Sequence, residues 1–150
     1  MMLRGISFTL VKDTDFWDII RFIGRKCSYW RVVAGQTEVW DRTDDSDFFT
    51  HENYTTGDLQ DIMLKNGYII FLKMVASAIS GKIPDVEDYG ELLKSDSAFV
   101  VLVNDCVFVE IYCKNEADAE ELLSQMNCMG YADAELITDL NDRRKRFCVI

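Results

Sequence analysis

Residues 98–114 read AFVVLVNDCVFVEIYCK. Two runs rich in valine, phenylalanine and isoleucine meet at Asn104-Asp105, residue types that accept the positive φ of a tight turn. The spacing predicts an antiparallel hairpin, with Val100–Val103 and Val107–Ile111 as its two strands. Both runs are so apolar that they read as central strands covered on both faces or nearly so. A covered central hairpin needs further strands beside it and helices above it, and the rest of the chain supplies candidates for both.

Working outward, residues 115–130 (NEADAEELLSQMNCMG) read as a helix. Asn115 can cap it, acidic residues fill its first turn, Ala119, Leu122, Leu123 and Met126 form a stripe, and Gly130 ends it. AELIT and RFCVI follow as the last two strand candidates. Upstream, YIIFLKMVASAI is a continuous apolar run whose β-branched and aromatic start favours a buried strand. DVEDYGELLKS is a short amphipathic helix. Thr56 can cap a helix that turns Leu59, Ile62 and Met63 inward, with Gly67 as its left-handed stop. At the start, LRGISFTL alternates with Ile6, Phe8 and Leu10 on one face. A helix capped by Asp13 or Thr14 then places Phe16, Ile19, Ile20, Ile23 and Cys27 on one side. YWRVVAGQTEVWDR reads as a second hairpin turning at Gly35, across which Trp30 and Trp40 could pair.

The expected fold is therefore α+β, one domain over 1–150. Its mostly antiparallel sheet has about six to eight strands and three or four helices. A strand-helix-strand-strand order over both 3–42 and 107–150 raises the prospect of two such units. Pro84 is the only proline and no stretch is rich in Pro, Gly or Ser, so no linker is marked.

The formal charge is −10, from 26 acidic and 16 basic residues. It is concentrated in the second half. From Asp85 to Asp142, 15 acidic residues face only Lys94 and Lys114, a local charge of −13. Such a surface repels phosphate backbones and anionic lipid, which argues against nucleic acid and membrane partners and favours a basic protein partner. No run of 18 apolar residues and no leader-like segment is present. Five cysteines (Cys27, Cys106, Cys113, Cys128 and Cys148) lack CxxC spacing. They read as unpaired thiols in a reducing, cytoplasmic setting.

Motifs for chemistry are sparse. His51 is the only histidine and no GxSxG marks a nucleophile. Asp41, Asp44, Asp45 and Asp47 lack the glycine and the closing glutamate of a calcium loop, and read as a solvated loop. No phosphate-binding glycine pattern exists, since Gly81 and Gly90 flank Lys82 without the required spacing. No cofactor or metal is expected. The cations Arg143, Arg144, Lys145 and Arg146 run straight into Phe147–Ile150. Cys148 is third from the end, so the prenylation box fails. Four apolar residues are costly to leave in water, so RFCVI is expected to pair into the sheet. The cations then sit in the turn before it, beside Asp139 and Asp142.

Three stretches, RGISF, DCVFVEIYCK and ITDLNDRRKRFCVI, together resemble a family of small bacterial proteins known only as a domain of unknown function. The resemblance implies a bacterial intracellular protein and assigns no activity. The reading that follows is a small acidic interaction module with a basic protein partner. Its candidate contacts are Trp30 and Trp40 on the second hairpin and Glu116, Glu120 and Glu121 on the long helix. The alternatives are a small-molecule sensor with an aromatic-lined sheet, and an enzyme without a local motif.

Overall fold

The computed structural model describes residues 1–11, 15–41, 48–64 and 67–150. They form a single α+β domain with an open antiparallel sheet of eight strands and four α-helices. The strands are β1 Leu3–Thr9, β2 Tyr29–Val32, β3 Glu38–Asp41, β4 Asn53–Thr55, β5 Gly67–Ser77, β6 Ser97–Asn104, β7 Phe108–Cys113 and β8 Glu135–Thr138. The helices are α1 Asp15–Gly24, α2 Thr56–Met63, α3 Tyr89–Lys94 and α4 Glu116–Cys128. Across the sheet the order is β4-β2-β5-β6-β7-β1-β8, with β3 also on β5. The caps proposed at Asp13 or Thr14, and Asp44, Asp45 and Asp47, lie outside the described residues.

The β6–β7 hairpin forms as expected, and Phe99 to Val103 are buried on both faces. Its turn sits one residue later than Asn104-Asp105. Asn104 still pairs with Phe108, and the positive φ values fall at Asp105 and Cys106. The Cys106 N–H donates to the Ile70 carbonyl (3.0 Å), which anchors the turn on β5 and offsets the left-handed cost of a non-glycine residue.

Two cores sandwich the sheet. The first joins Ile6 and Phe8 to Phe16, Ile19, Ile20 and Ile23 of α1, Leu59 of α2, and Ala119, Leu122 and Met126 of α4. The second lies on the opposite face, where Val75, Val100, Leu102 and Tyr112 meet Ile83, Val86, Leu92 of α3 and Phe147. The strap that joins β5 to α3 (residues 78–88) carries Ile83 and Asp85, and the buried Lys73 of β5 pairs with that Asp85 at 2.8 Å.

The second hairpin does not form. β2 and β3 lie end to end along one edge of β5, both antiparallel to it: Tyr29–Val32 opposite Met74–Ser77, then Glu38–Asp41 opposite Gly67–Phe71. A 3-10 turn over Ala34–Gln36 separates them, and the register against β5 shifts between Glu38 and Val39. The physical reason is length. An eleven-residue apolar strand offers more ladder to two four-residue segments than they offer each other. Trp30 therefore faces Ala76 and Tyr54, Trp40 faces Tyr68, and the two tryptophans do not pair.

Three smaller corrections follow the same logic. The α2 cap is Thr55, which forms a reciprocal capping box with Asp58, one residue before the expected Thr56. Gly67 opens β5 rather than closing α2. A Cβ there would overlap the Phe48 ring, so close packing is what the glycine serves. RFCVI forms no strand. Phe147 is 3% exposed with its ring centroid 4.6 Å from that of Tyr112, and its N–H donates to Glu87 O. Val149 and Ile150 both donate their N–H groups to Gln36 Oε1 (2.6 and 3.0 Å). The segment crosses the second face instead of joining an edge, so the tail is structural but not a ladder. Without that strand, and with β2 and β3 unpaired to each other, the two halves do not repeat one unit.

The outer edge of β8 is closed by a side chain. Asn141 Oδ1 accepts from the Thr138 N–H (2.7 Å) and its Nδ2 donates to Leu136 O (3.0 Å), as a neighbouring strand would.

Candidate ligand-binding cleft

β1, β7 and the loop after β8 bring five polar side chains together on the second face. Arg4 follows Leu3 in β1, where a bulge against β8 turns it to this side. Glu110 and Tyr112 alternate on β7 with Val109, Ile111 and Cys113, which enter the first core. Asp142 and Arg144 come from the loop after β8. Asp142 accepts from Arg4 Nη1 (3.1 Å), from the Arg144 N–H (3.1 Å) and from the Tyr112 hydroxyl (2.8 Å). The same hydroxyl lies 3.2 Å from Glu110 Oε2, but one proton serves one carboxylate at a time, and the Asp142 contact is the shorter. Arg144 grips Glu110 Oε1 with Nε (3.0 Å) and Nη2 (2.6 Å), and its Nη1 donates to Cys148 O (2.5 Å). Arg4 also stacks over Tyr89, 4.9 Å from guanidinium carbon to ring centroid.

The electrostatics lock these roles. Burial, then the Glu110 charge and the Asp142 hydrogen bond, push the Tyr112 hydroxyl above its ordinary range, so it stays a neutral donor. Burial opposes the charge on Arg144, but the hydrogen bond to Glu110 together with the negative charges around it holds the guanidinium above its usual value. Arg144 is thus a fixed cation that pins the basic loop to β7.

Beside this network an open cleft of about 760 Å³ runs over Ser7, Glu110, Glu135 and Ile137, with Asn141 to Arg146 as its wall. Arg143, Lys145 and Arg146 are exposed, and none has a carboxylate within 4 Å among the described residues. The cations noticed in the sequence are therefore one structural cation and three that line a cleft. Their position beside Asp142 was legible. The cleft was not, because its floor comes from strands that are distant in sequence.

The sequence-derived contact residues are dispersed. Trp30 is fully buried, its indole N–H donating to Thr56 Oγ1 (2.8 Å), so it has no surface to offer. Trp40 is 60% exposed on β3. Glu116 accepts from the Leu3 N–H, and Glu121 shares Lys26 with Asp118. Glu120 is exposed and has no ion pair or hydrogen bond with any described residue. The structure does not bring these five residues into one patch.

Much of the acidity of the second half is spent inside the fold. Asp139, Glu116 and Asp133 accept from the N–H groups of Met2, Leu3 and Thr9, satisfying the ends of β1 where its neighbours stop. Asp88 caps α3, Asp85 pairs with Lys73, and Glu110 and Asp142 belong to the network above.

His51 is exposed next to β4, away from the network. The five cysteines are unpaired thiols. Burial raises Cys27 to about 11 and Cys113 further still, so both stay protonated and are poor nucleophiles. No group of three potential metal ligands occurs among the described residues. No described helix is long and apolar enough to cross a membrane.

The described residues thus form a small α+β protein with an open eight-stranded antiparallel sheet. The chain belongs to the family described as "Protein of unknown function (DUF2691)", whose model matches residues 3–148. It is 29% identical to "Uncharacterized protein YncE" of Bacillus subtilis (strain 168) over 153 residues, covering 99% of this chain and 100% of that protein. No solved structure matches. The three stretches that carried the family resemblance are the ones that converge here. RGISF supplies Arg4, the central hairpin supplies Glu110 and Tyr112, and the ITDLND segment with its basic run supplies Asp142 and Arg144.

Proposed function

We propose that this protein is a cytoplasmic binding module whose C-terminal cleft takes a small anionic ligand. The observation that carries the reading is the trio Arg143, Lys145 and Arg146, exposed along a cleft without carboxylate partners among the described residues, on a chain of net charge −10. Guanidinium groups suit carboxylate and phosphate oxygens through paired N–H donors. Arg144, held by Glu110, fixes the loop so that its neighbours are presented rather than disordered by mutual repulsion. The overall negative charge disfavours long polyanions, which leaves small ones. Five unpaired thiols support the cytoplasmic setting. A basic protein partner would find fewer carboxylates available than the sequence count suggests, because most of those in the second half already accept internal bonds.

Citrate and inorganic phosphate are suitable probes. Citrate should raise the melting temperature and shift the amide resonances of 141–147 in NMR titration, with salt weakening the effect. The triple variant Arg143→Ser, Lys145→Ser, Arg146→Ser should lose the response. Its melting without ligand should stay close to wild type, because exposed charges contribute about 0–1 kcal/mol each. An unresponsive wild type, or a response that survives in the triple variant, would defeat the proposal.

A further inference from the structure

The cation-lined cleft continues into a second one of about 640 Å³, with which it shares Ser7, Glu110 and Glu135. The shared residues form a row across three strands, since Ser7 lies opposite Glu110 on β7 and opposite Glu135 on β8. The result is one groove along β1 on the second face, beyond the cover provided by α3, the strap and the tail. Its two ends differ in sign. Arg143, Lys145 and Arg146 line only the first cleft, Asp133 only the second, and Glu135 stands where the two meet. Asp133 accepts from the Thr9 N–H at 3.2 Å, and hydrogen bonding to Thr9, from its side chain first and then its backbone, keeps the carboxyl below the ordinary range and therefore charged. Glu135 is exposed and has no hydrogen bond or ion pair with any described residue. Phe108, 54% exposed and opposite Thr9, offers apolar surface on the acidic side of the groove.

A small anion would use only half of this arrangement. We infer that the groove binds a short extended peptide with free termini, its carboxylate at the cation wall and its ammonium at Glu135 and Asp133. This inference rests on the anion-binding reading above and extends it. Extended residues span about 3.3 Å each, so a peptide of a few residues can reach across two adjoining clefts. Complementary charge at both ends also selects against ligands of a single sign, because each would leave one end facing a like charge or none.

Three probes separate the contributions: tetra-alanine, its N-acetylated form and its C-terminal amide, each titrated by NMR against the wild type and Glu135→Gln, with citrate alongside. Tetra-alanine should shift amides at both ends of the groove, near 133–135 and 141–147. Acetylation should weaken binding about fivefold, the size expected of one exposed charge pair, and amidation should weaken it at least as much. In Glu135→Gln, an exposed change that leaves the core untouched, the difference between free and acetylated peptide should shrink. If free and acetylated peptides bind equally while citrate still shifts 141–147, the peptide inference is wrong and the anion-binding reading stands. If neither peptide nor citrate perturbs the groove, both fail.

Discussion

Alanine at position 5 should abolish the native fold under conditions where wild type is stable. Gly5 sits in β1 opposite Tyr112, and a Cβ there would penetrate the Ile111 carbonyl oxygen and crowd the Tyr112 Cα. Those are backbone atoms of the adjacent strand, so no rotamer change relieves the overlap and the β1–β7 ladder must open. Ordinary overpacking costs about 1–3 kcal/mol. A clash with a central ladder should exceed that, against a total stability of about 5–15 kcal/mol for a domain. Gly35→Ala is the matched control, since a Cβ there meets nothing within 4 Å. Urea denaturation of the pair decides the matter. A Gly5→Ala midpoint equal to wild type would show that β1 and β7 do not approach as closely as described.

Removing the Asp142 carboxylate should cost about 3–5 kcal/mol, the range for breaking a buried charge pair by deleting one partner. The Asp142 side chain is 2% exposed and accepts three hydrogen bonds. Asp142→Ala leaves the Tyr112 hydroxyl only its longer contact to Glu110 (3.2 Å) and takes the acceptor from the Arg144 amide and the Arg4 guanidinium, whose Nε is already buried without a partner. Asp142→Asn retains an acceptor but loses the charge, and should fall between alanine and wild type. Because Asp142 also positions the loop of the cation wall, the alanine variant should bind citrate more weakly at temperatures where it remains folded. A loss below about 1 kcal/mol for Asp142→Ala would mean that the network is not structural.

The hairpin at 98–114 and helix α4 were legible because their signals are local: a turn between two apolar runs, and a stripe at helical spacing between a cap and a glycine. β2 and β3 show where that logic stops. Val, Trp and a short Gly-containing turn suit a hairpin equally well, and only the length of β5, thirty residues on, makes collinear pairing the better arrangement. RFCVI was correctly read as needing burial. Burial against a sheet face satisfies Phe147 as well as a ladder would, and sequence does not distinguish the two. The cleft was the least legible feature. The network beside it, Arg4, Glu110, Tyr112, Asp142 and Arg144, lies on three widely separated segments, and each residue looks like an ordinary exposed side chain until the register of β7, β1 and β8 is known.

The position of β1 has a consequence for how the chain is made. It is synthesised before both of its neighbours, whose residues 108–112 and 135–138 emerge roughly a hundred residues later. On the ribosome the β6–β7 hairpin can close as soon as it appears. β1, with Ile6 and Phe8, must wait unpaired until the second half has been delivered. The earliest strand is therefore among the last to settle, and the interval in which its apolar face is uncovered is when aggregation competes most strongly with folding. Pulse-labelled hydrogen exchange should find the β1 amides protected after those of β6 and β7; simultaneous protection would place β1 in the folding nucleus instead.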